Sequence, residues 1–321
     1  MVLITLQQKN RLFEKKHLPG MSEYFEFSVK KPCDGDCQVL ALFADLEFAD
    51  GTKATNQDGT WLHHAVLINT GPEVQPLACD GGKDFDIMFM SGNEKTISGY
   101  ASPGSSIKSG YRLAPENDLS LNIQLMNMKD KEQWVWLTLT YEFLPGKHPD
   151  FKKGRTVWMD IGQLPGCSRI KANWGSSNLT AQQVPMSTKF SEHSKLWEVA
   201  TDGLLLGTGA HQHDGGTSTL IFHNGKVICD SKAMYSNSSA GHHGGMGGMR
   251  KRQMMSGSNS NNDIPHIYKQ TGCEFKDGYP LKKGDTLYLQ ADYDFELHPG
   301  MKNSKGELDE VMGIVGSLVV F

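Results

Sequence analysis

Short runs in which apolar and polar residues alternate are the feature that most constrains the fold of this chain. In the run VWLTLTYEF, which begins at Val135, every second residue is apolar. Because successive side chains of a strand point to opposite faces, this pattern predicts a half-buried β-strand. The runs SLNIQLMNM, TLYLQADYDF and VMGIVGSLVVF behave similarly, and Asn224-Gly225 predicts a two-residue hairpin turn. With 35 glycines and no long helical period, the sequence predicts an all-β protein of antiparallel, jelly-roll-like β-sandwiches.

The length of the chain and one irregular stretch predict two tandem domains. A chain of 321 residues is longer than a single core usually supports, so two domains of about 150 residues are expected. The stretch EFLPGKHPDFKKGRTVWMDIG interrupts the strand pattern with Pro145, Gly146, Pro149 and Gly154. We therefore expect domains at 1–150 and 151–321. Residues 237–262, rich in Gly, Ser, His and Met, predict a long flexible loop inside the second domain.

The composition argues against two classes of partner. The net charge is −4, with 21% charged residues, and no basic face that would neutralise phosphates is evident. We therefore expect no nucleic acid partner. No apolar run approaches the roughly 20 residues that a spanning helix requires, so no membrane span is expected either.

Cysteines and glycosylation sequons predict a secreted chain or one in the secretory pathway. The six cysteines are an even number, and Cys33 and Cys37 flank a turn that a short-loop disulfide can close. NLT at Asn178 and NSS at Asn237 fit a glycoprotein. The first residues, MVLITLQQKNRLFEKKH, have too short an apolar run for a signal peptide, so either the leader is missing from this sequence or the prediction of export is wrong.

Three motifs could carry metal chemistry. His211 and His213 are two residues apart at the head of a strand, so both imidazoles can face one ion. His63 and His64 are adjacent, so they can share an ion only where the strand is bent or bulged; otherwise one faces the core and the other the surface. Met312 lies in the last strand, where it is either a core residue or a soft ligand. Imidazoles with a thioether suit copper, especially Cu(I).

The order of these motifs resembles the ascorbate-dependent type II copper monooxygenases, the family of peptidylglycine α-hydroxylating monooxygenase and dopamine β-monooxygenase. The resemblance extends from about residue 20 to the end, and LHH is also similar to the plant stress-upregulated nodulin-type proteins. It implies two β-sandwiches, each holding one copper, across a solvent-filled cleft. One copper would pass an electron, and the other would activate O₂ and remove hydrogen from a substrate C–H bond.

The resemblance assigns the motifs to two copper sites. His63 and His64 match the electron-transfer site, and His211 and His213 with Met312 match the oxygen-activating site. In the family the third ligand of the first site is the histidine of a QVHY motif. Here NIQLMNM occupies that place, with Met126 where the histidine is expected. This methionine either serves as a ligand that favours Cu(I) or marks a degenerate site without copper.

The family's substrate contacts are absent at the matching positions. The arginine two residues before the HxH motif is Gly209 here, and the asparagine and tyrosine after the methionine are Ile314 and Gly316. Without that arginine no bidentate ion pair with a peptide carboxylate can form, so peptide amidation is not expected.

Two functions remain open from the sequence. The first is a copper-dependent monooxygenase that uses O₂ and a reductant, ascorbate or another donor, to hydroxylate an unknown small-molecule or peptide-like substrate. In it His211, His213 and Met312 hold the catalytic copper, and His63, His64 and Met126 hold the donor copper. The second is a secreted copper-binding or copper-handling protein that has lost hydroxylase activity. The Gly/His/Met loop is expected to be a solvated insertion or, alternatively, a further Cu(I) site.

Overall fold

The computed structural model of the chain describes residues 6–17, 20–71, 85–92, 95, 97–102, 104–162, 176–180, 188–236, 265–300, 308 and 310–321. Within these ranges a short 3₁₀ helix spans Asn56–Asp58. The strands, in chain order, are β1 (Leu6–His17), β2 (Gly20–Glu26), β3 (Cys37–Glu47), β4 (Thr60–Thr70), β5 (Asp86–Gly92), β6 (Ser98–Gly99), β7 (Ser109–Leu113), β8 (Asp118–Asn127), β9 (Gln133–Pro145), β10 (Lys152–Asp160), β11 (Ser176–Thr180), β12 (Lys189–His193), β13 (Trp197–Glu198), β14 (Gly203–Gln212), β15 (Gly216–His223), β16 (Lys226–Ser236), β17 (His266–Gln270), β18 (Cys273–Leu281), β19 (Thr286–Asp294) and β20 (Glu310–Val320).

The strands form three sheets. The largest has the order β1-β9-β3-β7-β10-β20-β14-β18, with β6 beside β3 and β11 beside β20. A second sheet has the order β12-β19-β15-β16-β17, with β13 beside β19, and the third has the order β2-β8-β4-β5. The all-β sandwich prediction is confirmed. The four alternating runs fall on β8, β9, β19 and β20.

The predicted hairpin turn at Asn224-Gly225 is present between β15 and β16. Both residues have positive φ, 47° and 76°, and His223 pairs directly with Lys226. This backbone suits a two-residue turn because its twist matches that of the flanking strands.

The first half of the chain shares its largest sheet with the second half. The join is a short parallel pairing of β7 with β10, in which Lys152 lies opposite Ser109. Each half has its own apolar core, one around Leu42, Leu67 and Tyr141 and the other around Ile221 and Leu289. The division into domains at residue 150 stays a prediction.

A third apolar cluster lies between the two halves. It contains Val66, Ile68, Phe85 and Ile87 from the first half with Trp158, Met312 and Ile314 from the second. Since β4 and β20 both contribute to it, the strands that carry His63, His64 and Met312 meet at one apolar junction.

A buried ion pair also joins the halves. Arg155 of β10 contacts Asp86 of β5 with 2.6 Å between Nη1 and Oδ2, and the side chains are 12% and 1% exposed. The Tyr111 hydroxyl donates a further hydrogen bond to the same carboxylate oxygen at 3.0 Å, and Asn69 donates to that hydroxyl at 2.8 Å. One oxygen of the buried Asp86 carboxylate thus accepts hydrogen bonds from both halves of the chain.

Two disulfides are described, Cys33–Cys37 and Cys229–Cys273. The short-loop disulfide is thus confirmed, and both bonds fit a chain that folds in an oxidising compartment. Cys79, Cys167, Asn237 and the loop at 237–262 lie outside the described residues. Nowhere in the described ranges is there a helix with the length and apolar character needed to cross a membrane.

We expect Arg155→Met to destabilise the protein strongly, because it leaves the Asp86 carboxylate buried without a cation. Breaking a buried pair in this way costs about 3–5 kcal/mol in the free energy of unfolding. Lys108→Met is the matched control, since Lys108 makes an exposed 2.8 Å pair with Asp150 whose loss should change little. Urea unfolding of both variants measures the difference, and equal midpoints would contradict the role of the buried pair.

Candidate metal centre

A β-bulge brings His63 and His64 together on β4. In the pairing with β8, Leu62 lies opposite Leu125 and His64 opposite Gln124, so His63 is the extra residue. The two Nδ1 atoms are 3.2 Å apart. Both histidines are buried, so the arrangement with one core and one surface histidine is not the one observed.

His211 and His213 point to the same side at the end of β14. His211 lies opposite Ile314 of β20, and the two imidazole centroids are 5.7 Å apart. Gln212, between them, points away and hydrogen-bonds Gln270 and the Asp292 carbonyl. The strand alternation predicted from the sequence therefore holds here.

The two histidine pairs meet between the halves. The ring centroids of His63 and His213 are 4.6 Å apart with an interplanar angle of 64°. The resemblance implied one site in each half across a solvent-filled cleft, whereas these two rings are in contact. The apolar cluster accounts for the difference, because side chains of β4 and of β20 both belong to it. We call His63, His64, His211 and His213 the four-histidine cluster.

Burial and mutual repulsion keep the imidazoles of His63 and His64 neutral. Burial is the largest cause that lowers the pKa of His63, followed by repulsion from His213, His64 and His211, while a hydrogen bond with Gln124 opposes it. Burial and the same second-half histidines lower the pKa of His64 to about 3. Neutral imidazole is the form that binds a metal ion.

Three ring nitrogens of the cluster lack a hydrogen-bond partner. They are the buried Nε2 atoms of His63, His64 and His213. The other nitrogen of His213, Nδ1, lies 2.9 Å from the Glu310 carbonyl oxygen. Leaving a buried polar atom unsatisfied costs about 1–3 kcal/mol, so several at one place indicate a missing ligand.

The donor types of the cluster fit copper. Neutral imidazoles suit copper in either oxidation state, and thioethers suit Cu(I). Among the described residues, however, no three histidine, cysteine, aspartate or glutamate side chains already surround one ion position. Coordination of one ion by three of these side chains would therefore require rings to turn from the orientations described.

The two predicted methionine ligands lie beside the cluster. Met312 is 1% exposed and packs in the apolar cluster between the halves. Met126 is also buried and lies opposite Trp61, on the strand next to the bulge. The ligand roles of both methionines and of the four histidines stay predictions.

Tyr293, which the sequence did not single out, fixes the backbone around this site. Its buried hydroxyl donates to the Met312 carbonyl and accepts from the Met312 N–H at 3.1 Å. It also hydrogen-bonds the backbone of His213. The Tyr293 side chain thus links the backbones of two predicted ligands, Met312 and His213. This role can be seen only in the tertiary structure.

The positions that correspond to the family's substrate contacts carry no charge here. Gly209 lies directly opposite Gly316 in the pairing of β14 with β20. A Cβ on Gly316 would come within 3.3 Å of Met90 Sδ, and Ile314 packs in the apolar cluster.

Comparison with known proteins points to copper oxygenases. No family model matches the chain. The protein named probable copper-dependent oxygenase M1, from Phoma sp. (strain ATCC 20986 / MF5453), is 26% identical over 292 residues, which cover 91% of this chain and 66% of that protein. Probable copper-dependent oxygenase clz3 from Cochliobolus lunatus is 25% identical over 279 residues, which cover 87% of this chain and 78% of that protein. The chain thus spans about two thirds of the first relative.

Solved structures give a weaker comparison. PNGF-II has a TM-score of 0.41 at 8% identity, with coverage of 97% of this chain and 65% of that one. PNGase F, a glycosylasparaginase from Flavobacterium meningosepticum, has a TM-score of 0.40 at 11% identity, with coverage of 99% and 95%. Similarity at this level supports no inference about this chain.

The depressed pKa values predict that the metal-free protein loses stability in acid. The unfolded chain takes up protons on these histidines near their ordinary pKa of 6.5, whereas the folded chain does not until the pH approaches about 3 for His64. Stability should therefore fall as the pH drops from 7 towards 4. Urea midpoints at several pH values should show a smaller fall for the His63→Gln/His64→Gln double variant than for wild type. The exposed His193→Gln serves as the control, and identical slopes in all three proteins would contradict the assignment.

Proposed function

We propose that this chain is a copper-dependent oxygenase whose copper is held by the four-histidine cluster. The observation that carries the proposal is the set of buried Nε2 atoms of His63, His64 and His213 without hydrogen-bond partners, at one junction between the halves. The names of the two relatives support copper and oxygenase chemistry independently of this geometry.

The protein's own groups prepare the site for a metal. Burial keeps the imidazoles of His63 and His64 neutral, and the Glu310 carbonyl accepts from the Nδ1 side of His213, which leaves Nε2 as the nitrogen available to a metal ion. Met312 adds a soft thioether on the second-half side. Bound copper, one or two ions per chain, would supply one-electron chemistry and O₂ activation, with ascorbate or another external reductant as the electron source.

The substrate is proposed to be a small molecule or a peptide-like compound other than a glycine-extended peptide. Gly209 and Ile314 offer no cation or hydrogen-bonding side chain that would bind a carboxylate. The two disulfides support a location in the secretory pathway or outside the cell.

Removal of single donors tests the copper site. His213→Ala should abolish or strongly weaken copper binding, because an imidazole donor is lost. Met312→Ile keeps the approximate bulk, so folding should change little while affinity falls chiefly for Cu(I). Competition with a Cu(I) chelator, at matched protein stability, measures both effects. A wild-type chain that retains no copper against the chelator would contradict the proposal.

A copper-handling protein is the second candidate, because Met126 stands where the family has a third histidine. Oxygen consumption separates the two functions. The copper-loaded oxygenase should consume O₂ when a reductant is added, beyond the rate given by the same copper held by the chelator. A copper-handling protein would bind copper but would consume O₂ no faster than the copper held by the chelator.

A further inference from the structure

Three methionines lie on one face of the four-stranded sheet, at its β2 edge. Met21 of β2 pairs directly with Met126 of β8, so the two side chains share a face. The Met128 N–H donates to the Gly59 carbonyl at 2.8 Å, which continues the pairing of β8 with β4 past Asn127. Because alternate residues of a strand face the same way, Met128 is on the same face as Met126. We call Met21, Met126 and Met128 the thioether cluster.

The spacing of these strands lets the three sulfur atoms meet. Directly opposite Cβ atoms on neighbouring antiparallel strands are about 4.5–5.5 Å apart, and diagonal ones about 7–8 Å, a distance that long side chains still span. Met21 is opposite Met126 and diagonal to Met128. Methionine is unbranched and has three rotatable bonds, so its sulfur can move without a shift of the backbone. One ion can therefore contact all three sulfur atoms.

The thioether cluster is open to solvent at one end and buried at the other. Met21 and Met128 are 39% and 49% exposed, whereas Met126 is 5% exposed. Among the described strands, β2 is at the edge of its sheet, which leaves Met21 accessible from that side. An ion can thus reach the two exposed sulfurs from solution, while the third sulfur lies towards the interior.

The buried end of the thioether cluster adjoins the four-histidine cluster. Gln124, two residues before Met126 on β8, lies opposite His64 and hydrogen-bonds the His63 side chain. Gln124 and Met126 face the same way, and two residues of a strand span about 7 Å. The two clusters are therefore neighbours on one face of the sheet, although they share no residue.

We propose that Met21, Met126 and Met128 bind Cu(I) through their three sulfur atoms, at a site separate from the four-histidine cluster. Thioethers are soft donors, which select Cu(I) over Cu(II) and over harder ions. Met126 then serves this site and not the histidines. Transfer of the ion to the four-histidine cluster rests on the proposed function, whereas binding of Cu(I) by the sulfurs does not.

The double variant Met21→Leu/Met128→Leu tests the site. It removes two of the three sulfurs and keeps the approximate volume of exposed side chains, so folding should change little. Met234→Leu is the matched control, because Met234 is 38% exposed on β16 and pairs with Lys269. In competition with a Cu(I) chelator, the double variant should bind one Cu(I) ion fewer per chain and the control should match wild type. Cu(II) binding should be unchanged in both, since the imidazoles are intact.

X-ray absorption of the Cu(I)-loaded proteins counts the sulfur ligands of the copper. Other sulfur donors of the chain contribute equally to wild type and variants, so the difference measures this site. Fewer sulfur ligands in the double variant alone would support the proposal. Wild-type Cu(I) binding and sulfur count in the double variant, or an equal loss in Met234→Leu, would overturn it. If the double variant does not fold, the two single variants decide, and unchanged binding in both overturns the proposal.

His213→Ala separates this inference from the proposed function. It should lose the copper of the four-histidine cluster and keep Cu(I) bound through sulfur. Loss of the sulfur-bound Cu(I) as well would overturn the proposal of a separate site. If His213→Ala loses no copper while the double variant does, the thioether site stands and the proposed function is contradicted.

Discussion

The contact between the imidazoles of His63 and His213 depends on how tightly the two halves of the chain are packed. An apolar cluster from β4, β5, β10 and β20 closes the junction, and the buried Arg155–Asp86 pair spans it. Dry packing of this kind excludes water from the polar atoms beside it. The four histidines are consequently buried and close to one another, and His63 and His64 are kept neutral, which favours a metal ion over protons at these two rings.

Packing of the two halves at the junction makes both favourable and unfavourable contributions to the free energy of folding. Burial of the apolar side chains favours association of the halves, since removing apolar surface from water is favourable. The unpartnered Nε2 atoms of His63, His64 and His213 oppose it, because each has lost its water without gaining a partner. A bound copper would remove this penalty, so metal binding and packing of the halves are expected to stabilise each other.

Local sequence patterns predicted the strands and the histidine pairs but not how the pairs meet. The alternation in β9 and the hairpin at Asn224-Gly225 depend on neighbouring residues, so they can be seen in the sequence. The bulge at His63 depends on the register in which β4 pairs with β8, and the sequence of β4 alone does not determine that register. The approach of His63 to His213 depends on packing between strands about 150 residues apart.

An EPR spectrum of the chain loaded with two equivalents of Cu(II) most directly tests whether the four histidines form one shared centre. A shared centre predicts either broadening from two spins a few ångströms apart or the signal of a single bound copper, and it predicts that His63→Ala and His213→Ala each change that same signal. Two sharp, independent signals, each altered by a substitution in its own half only, would contradict it.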